Sequence, residues 1–286
     1  MTMSEPIGVR TLGISQNDPL RGPVALATLS TLFCLPADAD GVGVASIVDG
    51  AALLSHQKID ARGATMASLV GTARGRTTVA QWTTRREMRP SGLNQGVSQG
   101  PFRARSYAGA VVGGPQTPDE AFASRERLLS GVPDSLRRCL VGKSEGESFF
   151  LAVLAVLSAQ GVLDRAHDNT AHLKEAVESL LATTDSWPRQ VTITNGVDVV
   201  HVAKGMPSAV VVLRGLDDAI AGDISPSLVD SSTARERNRR YVGTFCVGAM
   251  DAAIKTTIVP PPGCTLQLWP EGGAVVVGRE PGPRSL

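Results

Sequence analysis

Aromatic side chains are scarce in this sequence: two Tyr, three Trp and six Phe among 286 residues, or 4%. An interior short of rings has to be built from Val, Leu, Ala and Gly. Cysteine is equally sparse. Cys34, Cys139, Cys246 and Cys264 stand far apart, so there is no CxxC redox or metal unit, and in a chain of this length they read as reduced core thiols rather than nucleophiles. Of the four histidines, His167 and His172 are five residues apart and would not share a helix face, so no metal centre is expected. Charge of one sign is lacking too. With 28 Lys and Arg against 27 Asp and Glu, the net charge is +1, which supplies no surface for tracking phosphates and points to no nucleic-acid partner. The densest basic run, Arg235 to Arg240, contains Glu236 and reads as a solvated loop or helix end. Long apolar runs are absent. Phe149–Val156, extended weakly to Leu163, is too short and interrupted to cross a bilayer, and Met1–Pro6 is not a signal peptide. The expectation is a cytoplasmic protein with no membrane association. Gly71–Gly75 and Gly109–Gly114 match neither phosphate-loop pattern, so no cofactor is expected.

What the sequence has is a strand-rich beginning, helices in the middle and a strand-rich end. Ile7–Ile14, Gly41–Val48, Ala51–Lys58, Thr77–Thr84 and Arg105–Val112 read as strands, with Asp49-Gly50 as a hairpin turn. Val24–Leu35 has apolar residues at helical spacing. Arg85–Gln99 is polar and reads as a loop. Pro118–Leu129, Ser144–Leu157 and His172–Thr183 read as helices, the second apolar nearly all round and therefore buried. Short β-type runs follow at Gln190–Ile193, Val197–Ala203, Ala209–Leu213, Tyr241–Val247, Lys255–Val259, Thr265–Trp269 and Ala274–Val277, with Asn195-Gly196 as a second hairpin signal. Asp217–Arg240 reads as a polar, mobile insertion. The order predicts an α+β layered fold with two mainly antiparallel sheets, formed by a single domain over 1–286 with frayed ends at about 1–6 and 278–286.

Several segments together resemble stand-alone class II glutamine amidotransferases, which have the N-terminal-nucleophile hydrolase fold. That family's mature chain opens with Cys-Arg-Leu-Leu-Gly; here Val9-Arg10-Thr11-Leu12-Gly13 stands in that place. Its Asp-Gly-Trp-Gly-Ile is matched by Asp40-Gly41-Val42-Gly43-Val44, and its Asp-Ser-Glu helix start by Glu145-Gly146-Glu147. Val191–Val197 resembles a later hairpin, and Phe245–Ala249 followed by Pro260–Gly263 resembles the family's last β run and Pro-Gly turn. The resemblance spans about Ile7 to Val277 and implies an αββα sandwich.

It also implies a chemistry whose parts are missing. In the family a terminal cysteine attacks the amide, its own α-amine is the base, an Asn side chain holds the oxyanion, an Arg clamps the glutamine carboxylate and an Asp reads its amino group. By the resemblance these positions fall on Val9, Ala110, Thr83 and Glu145, so no catalytic residue is assigned. Arg85 and Arg86 lie just beyond Thr83, and Glu145 and Glu147 keep acidic charge. These four are the candidate substrate-binding residues, although acids in a first helical turn also complement the helix dipole without any ligand. The resemblance implies a non-catalytic subunit, a scaffold or regulatory partner for a protein subunit of synthetase- or glutamate-synthase-like kind. An amidohydrolase with a rewired nucleophile such as Thr2, and a module binding a small amino acid in the old glutamine pocket, are the alternatives.

Overall fold

In a computed structural model the β-type runs pair into two sheets. It describes residues 7–36, 39–59, 65–70, 73, 75–84, 100–115, 117–165, 169–184, 187–249 and 260–278. In chain order the strands are β1 (Ile7–Gln16), β2 (Phe33–Cys34), β3 (Ala39–Val48), β4 (Ala51–Lys58), β5 (Thr77–Thr84), β6 (Phe102–Ala104), β7 (Tyr107–Gly113), β8 (Arg189–Thr194), β9 (Val199–Lys204), β10 (Ser208–Arg214), β11 (Val242–Ala249), β12 (Cys264–Trp269) and β13 (Ala274–Val277). The helices are α1 (Gly22–Thr28), α2 (Met66–Val70), α3 (Pro118–Ser130), α4 (Asp134–Arg137), α5 (Glu145–Ala159), α6 (Thr170–Thr184), α7 (Asp218–Ile224) and α8 (Ser232–Arg239). The first sheet runs β12-β10-β11-β1-β5-β3-β4, the second β13-β9-β8-β7-β6. Every pairing is antiparallel except the short β2, which joins β1 in parallel.

Two separate apolar cores cover the outer faces of the two sheets. On the first sheet, Leu12, Ile14, Val44, Trp82, Val211 and Phe245 pack under α1, α2 and α7. On the second, Tyr107, Val111, Val191, Ile193 and Val202 pack under α3, α5 and α6. The result is an αββα sandwich of two mainly antiparallel sheets. Pairs of turn residues set the hairpins. Asp49 (φ 51°) and Gly50 (φ 78°) both adopt the left-handed conformation that a two-residue hairpin turn demands. In the β8–β9 loop the Asn195 carboxamide oxygen accepts from the amides of Val197 (3.0 Å) and Asp198 (2.8 Å). Helix α3 opens with a capping box between Thr117 and Glu120, and α5 with Ser144 accepting from the Glu147 amide at 3.1 Å.

Two segments depart from the sequence reading. The apolar stretch from Val24 is helical only to Thr28; a single 3-10 turn follows, and Phe33–Cys34 then pairs with β1. The polar insertion Asp217–Arg240 holds α7 and α8 instead of a loose loop. Side-chain hydrogen bonds hold it down. Buried Arg21 donates from Nε to Asn238 (2.7 Å), from Nη1 to Asp18 (2.8 Å) and from Nη2 to the Ala234 carbonyl (2.9 Å). Asn238 in turn donates to Asp218 at 2.7 Å, and Arg237 binds Asp18 at 2.7 Å. No helix among the described residues is long and apolar enough to cross a membrane. The loop expected at 85–99 and the β run expected at 255–259 lie outside the described residues.

Candidate functional site

The space between the sheets is built differently from the outer cores. Strand register places His56, Gly43, Gln81, Thr11, Gly248, Ser208 and Trp269 in one transverse row across the first sheet. Directly paired residues share a face, and this face is turned to the second sheet. A methyl added at Gly13 would meet the methyls of Thr192 and Val199 on the second sheet at 2.7 Å each, and one at Gly248 would strike Gln190 and Thr11. The opposing rows are Ala110-Thr192-His201-Val275 and Val112-Gln190-Ala203. Glycines on one sheet thus admit polar side chains from the other. The layer carries hydroxyl and amide groups beside small apolar clusters around Ala45 and Ile47 and around Val210 and Cys246, where the outer cores are large and apolar.

A bulge in β1 decides which residues enter this layer. Val9 pairs with Ala249 but Thr11 pairs with Gly248, so the register slips at Arg10. Val9 and Leu12 both lie in the outer apolar core. Between them the strand carries two residues, Arg10 and Thr11, where regular alternation would carry one. Arg10 is therefore turned toward the inter-sheet side, and it is only 9% exposed.

The residues assigned by the resemblance are thereby divided. Thr83 and Ala110 face the layer, Thr83 two positions along β5 from Gln81. Val9 faces away from it, fully buried beneath the helices. Glu145 lies on the outer side of the second sheet, where Arg189 grips it through two hydrogen bonds of 2.9 and 3.0 Å and the Ser124 hydroxyl donates at 2.8 Å. The Arg189 guanidinium also lies 4.5 Å over the Phe149 ring. Glu147 accepts from the amides of Val141 and Gly142, both at 2.8 Å, fastening the loop ahead of α5. Arg85 and Arg86 lie outside the described residues.

Within the layer several buried polar atoms have no hydrogen-bond partner among the described residues: Thr11 Oγ1, Gln81 Oε1, Thr83 Oγ1 and Ser208 Oγ. The Gln81 amide nitrogen reaches the Val111 carbonyl only at 3.4 Å, while Gln190 donates to the Pro207 carbonyl at 2.9 Å. His201 Nδ1 lies 2.9 Å from the Thr192 hydroxyl, and complete burial pushes the imidazole down to about 4, so it is neutral at physiological pH. Burial raises the Cys246 thiol well above its ordinary value and Cys264 to about 11, so neither is a ready thiolate. Among the described residues no group of three or more His, Cys, Asp and Glu could hold a metal ion. Arg10, Thr11, Gln81, Ser208 and His201 were not legible as site residues. Only cross-strand register brings them together, and the bulge that turns Arg10 inward leaves no mark in the local pattern.

No protein-family model matches the chain, and no curated protein matches it. Solved structures do. A glutamine aminotransferase class-II domain protein from Silicibacter pomeroyi is 15% identical, with a TM-score of 0.45 over 90% of this chain and 98% of that one. A predicted glutamine amidotransferase from Pseudomonas aeruginosa is 13% identical, with a TM-score of 0.43 over 96% and 95%. Glutamine phosphoribosylpyrophosphate amidotransferase from B. subtilis is 12% identical, with a TM-score of 0.41 over 90% of this chain and 48% of that one.

Proposed function

We propose that this chain is a class II glutamine amidotransferase-like subunit without glutaminase activity, serving as a scaffold or regulatory partner in a larger complex. The observation that carries the reading is the face of Val9. The position that resembles the nucleophile bears a side chain with no lone pair, and it points into the outer core, across the sheet from the polar layer. The residue in the oxyanion position, Ala110, has no donor in its side chain, and loss of one such donor alone costs about 10²–10³ in rate. Glu145, in the position of the residue that reads the amino group, is committed to Arg189.

The test is ammonia release from glutamine by the purified full chain, together with labelling by an electrophilic glutamine analogue. The expected result is neither. Turnover by the native chain that is abolished by changing Thr2, Cys34 or Cys139 would replace this reading with a rewired amidohydrolase. For the subunit role, sedimentation should show a stable hetero- or homo-oligomer; a monomer at every concentration with no co-purifying partner would count against it.

A further inference from the structure

We propose that the β8–β9 turn is a deamidation site gated by folding: Asn195 is protected in the native chain and converts irreversibly to aspartate or isoaspartate once the turn opens. Asn195-Gly196 is the only Asn-Gly pair in the sequence. The reaction needs no co-reactant except water. The Gly196 nitrogen gives up its proton and attacks Cγ of Asn195. The Cγ–Nδ2 bond breaks, the departing amide takes up a proton and leaves as ammonia, and a five-membered imide closes. Water then adds to either imide carbonyl, leaving an α-linked aspartate or a β-linked isoaspartate. A following glycine has no Cβ to shield its nitrogen, which makes this pair the most susceptible asparagine in the chain.

The native turn withholds each reacting group. The Gly196 N–H donates to Thr194 Oγ1 at 3.0 Å, so the nucleophile keeps its proton. The carboxamide is fastened at both ends. Its Oδ1 accepts from the Val197 and Asp198 amides at 3.0 and 2.8 Å, and its Nδ2 donates to Asn169 Oδ1 at 3.1 Å and to Thr170 Oγ1 at 3.2 Å. Ring closure would have to break these bonds to bring Cγ onto the Gly196 nitrogen. Asn195 is only 2% exposed, and a methyl at Gly196 would meet Ile47 of β3 at 2.8 Å, so the turn is packed against the first sheet and shielded from bulk base. The same contacts reject the product. A carboxylate accepts only, so the bonds to Asn169 Oδ1 and Thr170 Oγ1 lose their donor. It also adds a charge to a buried cluster in which Thr170 already donates to the Asp198 carboxylate. Isoaspartate lengthens the main chain in a turn where Gly196 sits at φ 91°. A chain that deamidates while open therefore refolds poorly, and the turn records time spent unfolded.

The experiment holds the full chain at mildly alkaline pH, folded in buffer and unfolded in guanidinium chloride, and follows acid and isoaspartate at position 195 by peptide mapping. Conversion should be at least about tenfold slower in the folded chain, because only the open fraction reacts. Thr194→Val keeps the shape and removes the acceptor of the Gly196 N–H, so it should speed conversion in the folded state. Asn195→Asp should unfold at a lower denaturant concentration than the native chain, and the refolding yield of the unfolded sample should fall in step with conversion at 195. Equal rates in the folded and unfolded chain would overturn the gate, and an unchanged rate in Thr194→Val would overturn the part given to its hydroxyl. Asn195→Asp as stable as the native chain would overturn the consequence for refolding. If Thr194→Val does not fold, the folded and unfolded native chain alone decide the gate.

Discussion

Removing the carboxylate of Glu145 should damage the fold far more than any ligand binding. Glu145 and Arg189 are 8% and 1% exposed, and they join the start of α5 to the start of β8 through two parallel N–H···O bonds. Glu145→Gln keeps the shape but leaves a guanidinium buried against the Phe149 ring with no counter-charge. Breaking a buried pair from one side costs about 3–5 kcal/mol, because the remaining charge keeps its desolvation penalty. The ring returns little of this, since it faces the cation already in the native chain. For a chain of this length that corresponds to a fall in Tm of roughly 5–15 °C. The paired change Glu145→Leu with Arg189→Met removes both charges and should lie within about 2 kcal/mol of the native chain. Urea unfolding of the native chain, Glu145→Leu, Arg189→Met and the double variant forms a closed cycle, with Glu145→Gln measured beside it. The reasoning fails if Glu145→Gln costs less than about 1 kcal/mol, or if the double variant costs the sum of the singles.

His201 should give the stability a pH dependence. Its folded value of about 4 lies below the ordinary 6.5, so its contribution is complete above pH 6.5 and is lost as pH falls toward 4; the integrated loss is about 3 kcal/mol. His201→Gln should flatten the unfolding free energy between pH 6.5 and 4 relative to the native chain, and an unchanged slope would contradict the burial argument. Gly13→Ala drives a methyl into Thr192 and Val199 and should cost about 1–3 kcal/mol by overpacking, while Gly8→Ala, which meets nothing within 4 Å, should be nearly silent; chemical denaturation compares them. Arg21→Ala should release the α7–α8 insertion, read as faster amide hydrogen exchange over 217–240 with the sheets still protected; unchanged exchange there would mean the insertion is held by something else.

The sequence showed most clearly what is decided locally. Helices α3, α5 and α6 carry caps or apolar patterns within their own residues, and the two hairpins carry Asp-Gly and Asn-Gly at their turns. The α7–α8 insertion was misread because its order does not come from an apolar stripe. It comes from Arg21 and Asp18, about two hundred residues earlier, and no window of the local sequence contains them. Glu145 posed the same difficulty. Ahead of an apolar helix it reads equally as a favourable first-turn acid or as a ligand contact. Its partner Arg189 lies 44 residues away, and only the packing of α5 on the second sheet shows that the carboxylate is already occupied.

The bulge at Arg10 marks the limit of matching residues by their letters. In Val9-Arg10-Thr11-Leu12-Gly13 strict alternation would put Val9, Thr11 and Gly13 on one face and Arg10 and Leu12 on the other, each face mixing apolar with polar, so the string alone is compatible with two opposite assignments of inside and outside. The slip against β11 settles the matter. It sends Val9 outward and keeps Thr11 and Gly13 inward, with Arg10 added to the inner side. A cysteine introduced at position 9 with no change in register would therefore enter the outer apolar core, across the sheet from the polar layer. Changing the letter does not by itself change the face. The inward register would have to return as well, and that would move Arg10 out of the layer it now occupies.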